Sequence, residues 1–183
     1  MEQLEIDMRP TYYRRSGLPE GLQRKPGDTL PQQVIDIIEQ INNGTYEHQI
    51  IFMSGPKRGK TTAAASIARA WIEQHCDIVT SRVPALFVPV HQLCYQNRTV
   101  DRYQRDEALN ALIRDMSQTD MLILDGVFGY LTQNDDLLLQ AIYDARQHSL
   151  KTTIVTTSLV DPLSCASSVL YRIARDANIK VVF

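Results

Sequence analysis

Short apolar runs alternate along this chain with longer stretches whose apolar residues recur at helical spacing. Val34, Ile35, Ile37, Ile38 and Ile41 share one helical face. Pro31 stands at a plausible first helical position ahead of them, and Asn42-Asn43-Gly44 supplies a stop. Ile50-Ile51-Phe52-Met53 predicts a strand over about 49–53, followed by an Ala-rich helical pattern from Lys60 to His75. Ala85 to Val90 predicts a second strand, which Pro89 places at a sheet edge or at the strand's own end. A polar stretch from His91 to Glu107 leads into a helix with Leu109, Leu112, Ile113 and Met116 on one face. Met121-Leu122-Ile123-Leu124 reads as a fully buried strand ending in Asp125, with a helix over about 135–148 after it. Thr152 to Thr156 is a strand rich in β-branched residues, a helix follows over about 166–176, and Ile179 to Phe183 closes the series. Alternation of this kind predicts an α/β fold, a three-layer α/β/α domain around a parallel five-stranded sheet, over residues 31–183. Residues 1–30 carry Pro10, Gly17, Pro19, Gly21, Pro26 and Gly27 and are expected to form an irregular N-terminal arm.

The junction between the first strand and its helix carries the chemistry. Ser54-Gly55-Pro56-Lys57-Arg58-Gly59-Lys60-Thr61-Thr62 is a strand–turn–helix element of the phosphate-loop kind. Small residues let backbone N–H groups crowd around an anion, a lysine adds a point charge, and a hydroxyl reaches a metal ion. The usual spelling is G-x-x-x-x-G-K-[ST]; counted back from Gly59, the first position here is Ser54, and Gly55 fits only a loop one residue shorter. Lys60 is therefore expected to bridge the terminal phosphates of ATP, and Thr61 to ligate Mg²⁺. Asp125, at the carboxyl end of an apolar strand, is the expected second metal residue, because ligands of such sheets bind outside the strands' carboxyl ends. The next residue, Gly126, has no side chain with which to polarise water, so nucleotide binding is better supported than rapid hydrolysis. Asp135 or Asp136, or a neighbouring subunit, could supply the missing base.

Other positions admit two readings each. Thr156-Thr157-Ser158 can sense a γ-phosphate or simply cap a turn. Arg172 and Arg175 lie three apart on a predicted helix, as a solvated face or as an arginine acting on a neighbouring subunit's phosphate. The segment Tyr95 to Arg105 interleaves aromatics with Arg98, Arg102 and Arg105, which suits single-stranded nucleic acid, but Asp101 and Asp106 dilute the charge and an exposed polar helix has the same pattern. Trp71 reads as a packing residue.

Composition narrows the class. The chain has 183 residues, 44% hydrophobic and 22% charged, as in ordinary globular domains. A net charge of −2 excludes bulk affinity for nucleic acid while leaving room for a local basic strip. Cys76, Cys94 and Cys165 are widely spaced and read as reduced thiols. With no apolar leader at the N-terminus and no run of about 18 apolar residues, a cytoplasmic protein with no membrane partner is expected.

The order Arg15-Ser16-Gly17-Leu18-Pro19, a helix, Phe52-Met53-Ser54-Gly55 with Gly59-Lys60-Thr61, Leu122-Ile123-Leu124-Asp125, Ile154-Val155-Thr156-Thr157-Ser158 and Leu170-Tyr171-Arg172-Ile173 resembles the AAA+ helicase loaders of the DnaC type. The transposition-helper ATPases of the IstB type share this pattern. The resemblance implies an AAA+-like P-loop NTPase that binds ATP and Mg²⁺, associates with itself through the ATP site, and acts with single-stranded DNA and a DnaB-like replicative helicase or other replication protein. It implies that Arg172 completes a neighbour's site and that Thr157 stands at the sensor position. It also implies that Arg98, Arg102, Tyr103 and Arg105 belong to a DNA-contacting insertion. Ser54, Gly126 and Thr157 depart from the family pattern, and all three departures bear on hydrolysis.

Overall fold

The computed structural model describes residues 9–22, 30–76, 83–99, 105–161 and 165–183. The apolar runs form β1 (Ile50–Ser54), β2 (Ala85–Pro89), β3 (Met121–Asp125), β4 (Thr152–Thr156) and β5 (Ile179–Val182). They pair in parallel in the spatial order β2-β3-β4-β1-β5, so β1 lies between β4 and β5 although they are distant in sequence. Ile51 stands opposite Ile154 on one side and Ile179 on the other. Every residue of β1 and β4 is buried, as expected of parallel strands covered on both faces. The Pro89 expectation holds: β2 is an edge strand.

Period-two alternation divides the strands between two cores. Ile51, Met53, Met121, Ile123 and Ile154 face one layer, built from α1 (Arg9–Arg15), α2 (Gln32–Asn42) and α3 (Lys60–His75). Ile50, Phe52, Leu122, Leu124 and Val155 face the other, where α4 (Val90–Thr99), α5 (Arg105–Gln118), α6 (Gln133–His148) and α7 (Ser168–Asp176) pack. The three-layer α/β/α architecture read from the sequence is therefore the one observed. Helix α2 stops as its residues require: Gly44 takes φ +68°, and the Gly44 and Thr45 amides donate back to the Ile41 and Gln40 carbonyls.

Two stretches differ from expectation. Within 9–22, where an irregular arm is expected, Arg9–Arg15 is a helix, with Pro10 in its first turn where no intrahelical amide is lost. Tyr12, Tyr13 and Leu18 enter the α3-side core, and the Tyr13 hydroxyl donates to Glu73 at 2.8 Å. The Phe87 amide donates to the Ser16 carbonyl at 2.7 Å, which covers the open edge of β2. Gly17 follows at φ +71°, where a side chain would meet the Phe87 carbonyl. Pro26 and Gly27 lie outside the described residues. Helix α4 occupies much of the stretch read as polar, because Val90, Leu93, Cys94 and Asn97 form a buried stripe at helical spacing.

Candidate nucleotide site

The end of β1 and the start of α3 frame a loop whose shape rests on its two glycines. Gly55 has φ +105° and Gly59 φ +110°, both in the left-handed region that side chains avoid. Ser54 is buried and ends β1; the Gly55 amide is tied to the Leu159 carbonyl at 2.9 Å, which joins this loop to the loop after β4. Pro56, Lys57, Arg58 and Gly59 are exposed, and Lys60 opens α3 with Thr61 and Thr62 in its first turn. The Lys60 ammonium donates to the carbonyls of Gly55 at 2.5 Å and Lys57 at 2.6 Å, so the loop curls around its own lysine. Burial holds that ammonium below its ordinary pKa, and Asp125 opposes the shift. Phe183, just past β5, forms the side wall: its ring centroid lies 5.8 Å from the Lys60 ammonium, and its amide donates to the Ser54 carbonyl at 2.9 Å.

Asp125 comes to the loop from the end of β3. The Thr61 hydroxyl lies 3.0 Å from one carboxylate oxygen of Asp125 and 3.3 Å from the other. A hydroxyl and a carboxylate placed together at the N-terminus of a helix suit a hard divalent cation bound with a phosphate. The two left-handed glycines leave the backbone open to an anion, so the residues present fit a Mg–nucleotide. Bound there, Mg²⁺ would supply Lewis-acid neutralisation of phosphate charge.

The two threonines at the end of β4 have different partners. Thr157 is buried, and its hydroxyl donates to the Val127 carbonyl at 2.8 Å, bracing the loop after β3. The hydroxyl that reaches Asp125, at 2.7 Å, is that of Thr156. Strand register carried the signal: Leu124 pairs with Val155, so the residues after them, Asp125 and Thr156, end their strands side by side.

Neither acid considered as a substitute base is free for that task. Asp135 is fully buried and accepts hydrogen bonds from Arg98, Asn97 and Thr132. Asp136 accepts from the hydroxyls of Ser167, at 2.6 Å, and Ser168, which anchors the start of α7. Arg98, expected on a nucleic-acid strip, spends its guanidinium on Asp135 and joins α4 to α6. Arg105 begins α5, while Arg102 and Tyr103 lie outside the described residues. Arg172, on α7, pairs with Asp144 at 2.5 Å and lies over the Tyr143 ring, 5.3 Å from its centroid. Arg175 pairs with Asp176 at 2.9 Å.

No protein-family model matches the chain, and no curated protein matches it by sequence. Solved structures do match in fold. DnaI matches with a TM-score of 0.69 at 16% identity, over 90% of this chain and 94% of its own. The DnaC helicase loader gives 0.64 at 16% identity, over 94% and 98% of the two chains. AMPPCP-bound DnaA from Aquifex aeolicus gives 0.57 at 14% identity, over 82% of this chain and 44% of its own. At these identities the likeness establishes the fold alone, the three-layer α/β/α arrangement around a parallel five-stranded sheet. Among the described residues, no helix is long and apolar enough to cross a membrane.

Proposed function

We propose that this chain is a cytoplasmic ATP-binding protein of DNA replication, acting with a DnaB-like replicative helicase or another replication protein. ATP and Mg²⁺ bind at Ser54–Thr62 and Asp125, with Lys60 on the phosphates and Thr61 and Asp125 on the metal ion. The nucleotide-bound form associates with itself, Arg172 of one subunit reaching the next subunit's phosphates, and grips single-stranded DNA. Arg102, Tyr103 and Arg105 are the proposed DNA residues; Arg98 serves Asp135 first. The observation that carries this reading is the placement of Thr61 against Asp125, 3.0 Å apart, at the head of the helix that follows a glycine-bracketed loop. The fold it shares with DnaI and the DnaC helicase loader supports the replication setting.

Titration with a fluorescent ATP analogue in Mg²⁺ tests the core of the proposal. The unaltered chain should bind and Lys60→Ala should not; retained affinity in Lys60→Ala would sink the assignment. Gly126, together with the engagement of Asp135 and Asp136 elsewhere, favours a second reading for turnover: a nucleotide-binding adaptor that hydrolyses ATP slowly or not at all. Phosphate release measured with single-stranded DNA present separates the two.

A further inference from the structure

The Thr156 hydroxyl has one proton and sits between two groups that fix where it points. It donates to Asp125 Oδ1 at 2.7 Å and accepts the Gly126 amide at 2.8 Å. Gly126 adopts φ +73°, a left-handed turn open to glycine. The Val127 amide then donates to the Thr156 carbonyl at 2.8 Å, so one residue of β4 holds the whole turn after Asp125. The Thr61 hydroxyl meets the same carboxylate, 3.0 Å from Oδ1. Asp125 is thus gripped by a threonine from the phosphate-loop helix and by a threonine from the neighbouring strand. Thr156 is itself buried.

We propose that Thr156 is the positioning residue of the metal site: it sets the rotation of the Asp125 carboxylate so that, with Thr61, it presents oxygens to Mg²⁺. This rests on the nucleotide reading above and adds a residue to it. Mg²⁺ demands near-ideal octahedral geometry, so a carboxylate free to turn about its last bond binds it poorly. Partners that orient metal ligands without touching the metal are typically worth 10–100-fold in metal affinity. Thr156→Val keeps the branched shape that β4 requires but removes both the donor to Asp125 and the acceptor for Gly126. Thr156→Ser keeps both.

The experiment is a fluorescent-ATP titration of the full chain and its variants, in Mg²⁺ and again in excess chelator. Thr156→Val should lose roughly tenfold or more in affinity with Mg²⁺ and stay within about twofold of the unaltered chain in chelator; Thr156→Ser should restore the Mg²⁺ value. Added to Asp125→Asn, Thr156→Val should cost nothing further, because the two act through one carboxylate. Equal Mg²⁺ affinity in Thr156→Val, or equal loss in both media, overturns the proposal. If Thr156→Val does not fold, Thr156→Ala takes its place with the same expected and overturning results. An unaltered chain that binds no nucleotide in either medium sinks the function proposed above along with this inference. Mg²⁺-dependent binding that ignores Thr156 sinks this inference alone.

Discussion

Gly55 and Phe183 meet backbone to backbone: a Cβ built on Gly55 would collide with the Phe183 carbonyl oxygen. The contact couples the first turn of the phosphate loop to the end of the sheet, and it fixes the identity of residue 55 by space as well as by φ. Gly55→Ala should therefore destabilise the fold by about 2 kcal/mol or more and impair nucleotide binding, since left-handed strain alone costs roughly 1–2 kcal/mol. Gly44→Ala, at φ +68° with nothing near its Cβ, should show only the strain. Denaturant unfolding of both variants checks the difference; equal losses would mean that the Phe183 contact adds nothing.

Strands β1, β3 and β4 were legible from apolar runs because both faces of the sheet's interior are covered, which makes each of them a continuous signal. The strand–turn–helix element at Ser54–Thr62 was legible because its residue types are tied to backbone geometry. What escaped was set by tertiary partners. Pro10 and Gly17 read as breakers, yet Tyr12 and Tyr13 gain enough burial against α3 to hold a helix. The pairing of the exposed Arg98 with Asp135 was hidden because the two are 37 residues apart in sequence. The contact of Thr156 with Asp125 was hidden because the neighbouring strand, not the local sequence, decides which hydroxyl meets that carboxylate.

Asp135 should make the junction of α4 and α6 sensitive to acid. Burial opposes ionisation of its carboxyl, but hydrogen bonds from Arg98, Thr132 and Asn97 outweigh it and hold the pKa below its ordinary 3.8. A carboxyl more acidic in the folded state adds stability that is complete above pH 3.8 and drains as pH falls toward the lower folded value. Asp135→Asn should be less stable at neutral pH, and its stability should fall less steeply through that acid range. Thermal unfolding across pH reads this directly; parallel profiles for the two proteins would show that Asp135 is not a source of the acid sensitivity.

Arg172 has two partners within its own chain, Asp144 at 2.5 Å and Asp176 at 3.8 Å, and its guanidinium covers Tyr143. On the proposed reading it must leave Asp144 to serve a neighbouring subunit. Arg172→Ala should keep nucleotide affinity within about twofold and lose ATP-dependent self-association. Sedimentation at matched concentrations with and without ATP is the measurement. Unchanged assembly would return Arg172 to a purely intrachain role.

Arg146 is a stability residue of unusual weight. It is fully buried, and its guanidinium donates to the carbonyls of Met116, Thr119, Asp120 and Thr152 and to the Thr153 hydroxyl. It closes the C-terminal end of α5 against the start of β4. Removing it strands several buried acceptors, so Arg146→Ala should cost about 3–5 kcal/mol. Lysine lacks the planar fork needed to serve acceptors in several directions, so Arg146→Lys should recover little of that loss. Recovery of most of the stability by lysine would show that charge alone is what the site requires.

Gly126 offers a direct test of the slow-turnover reading. Its Cβ position has nothing within 4 Å, so a side chain would enter open space beside Asp125. Its φ of +73° is a conformation that aspartate tolerates better than most residues, at a cost of about 1 kcal/mol. Gly126→Asp would place a carboxylate directly after Asp125 and leave the residues of the Ser54–Thr62 loop unchanged. General-base assistance is typically worth about 10²–10⁴-fold, so even imperfect alignment should raise ATP turnover at least tenfold. Nucleotide affinity should change by less than about threefold, because Lys60, Thr61 and Asp125 are untouched. Phosphate release under saturating ATP is the readout. If Gly126→Asp binds ATP normally and turns it over no faster, the missing side chain at 126 is not what limits hydrolysis.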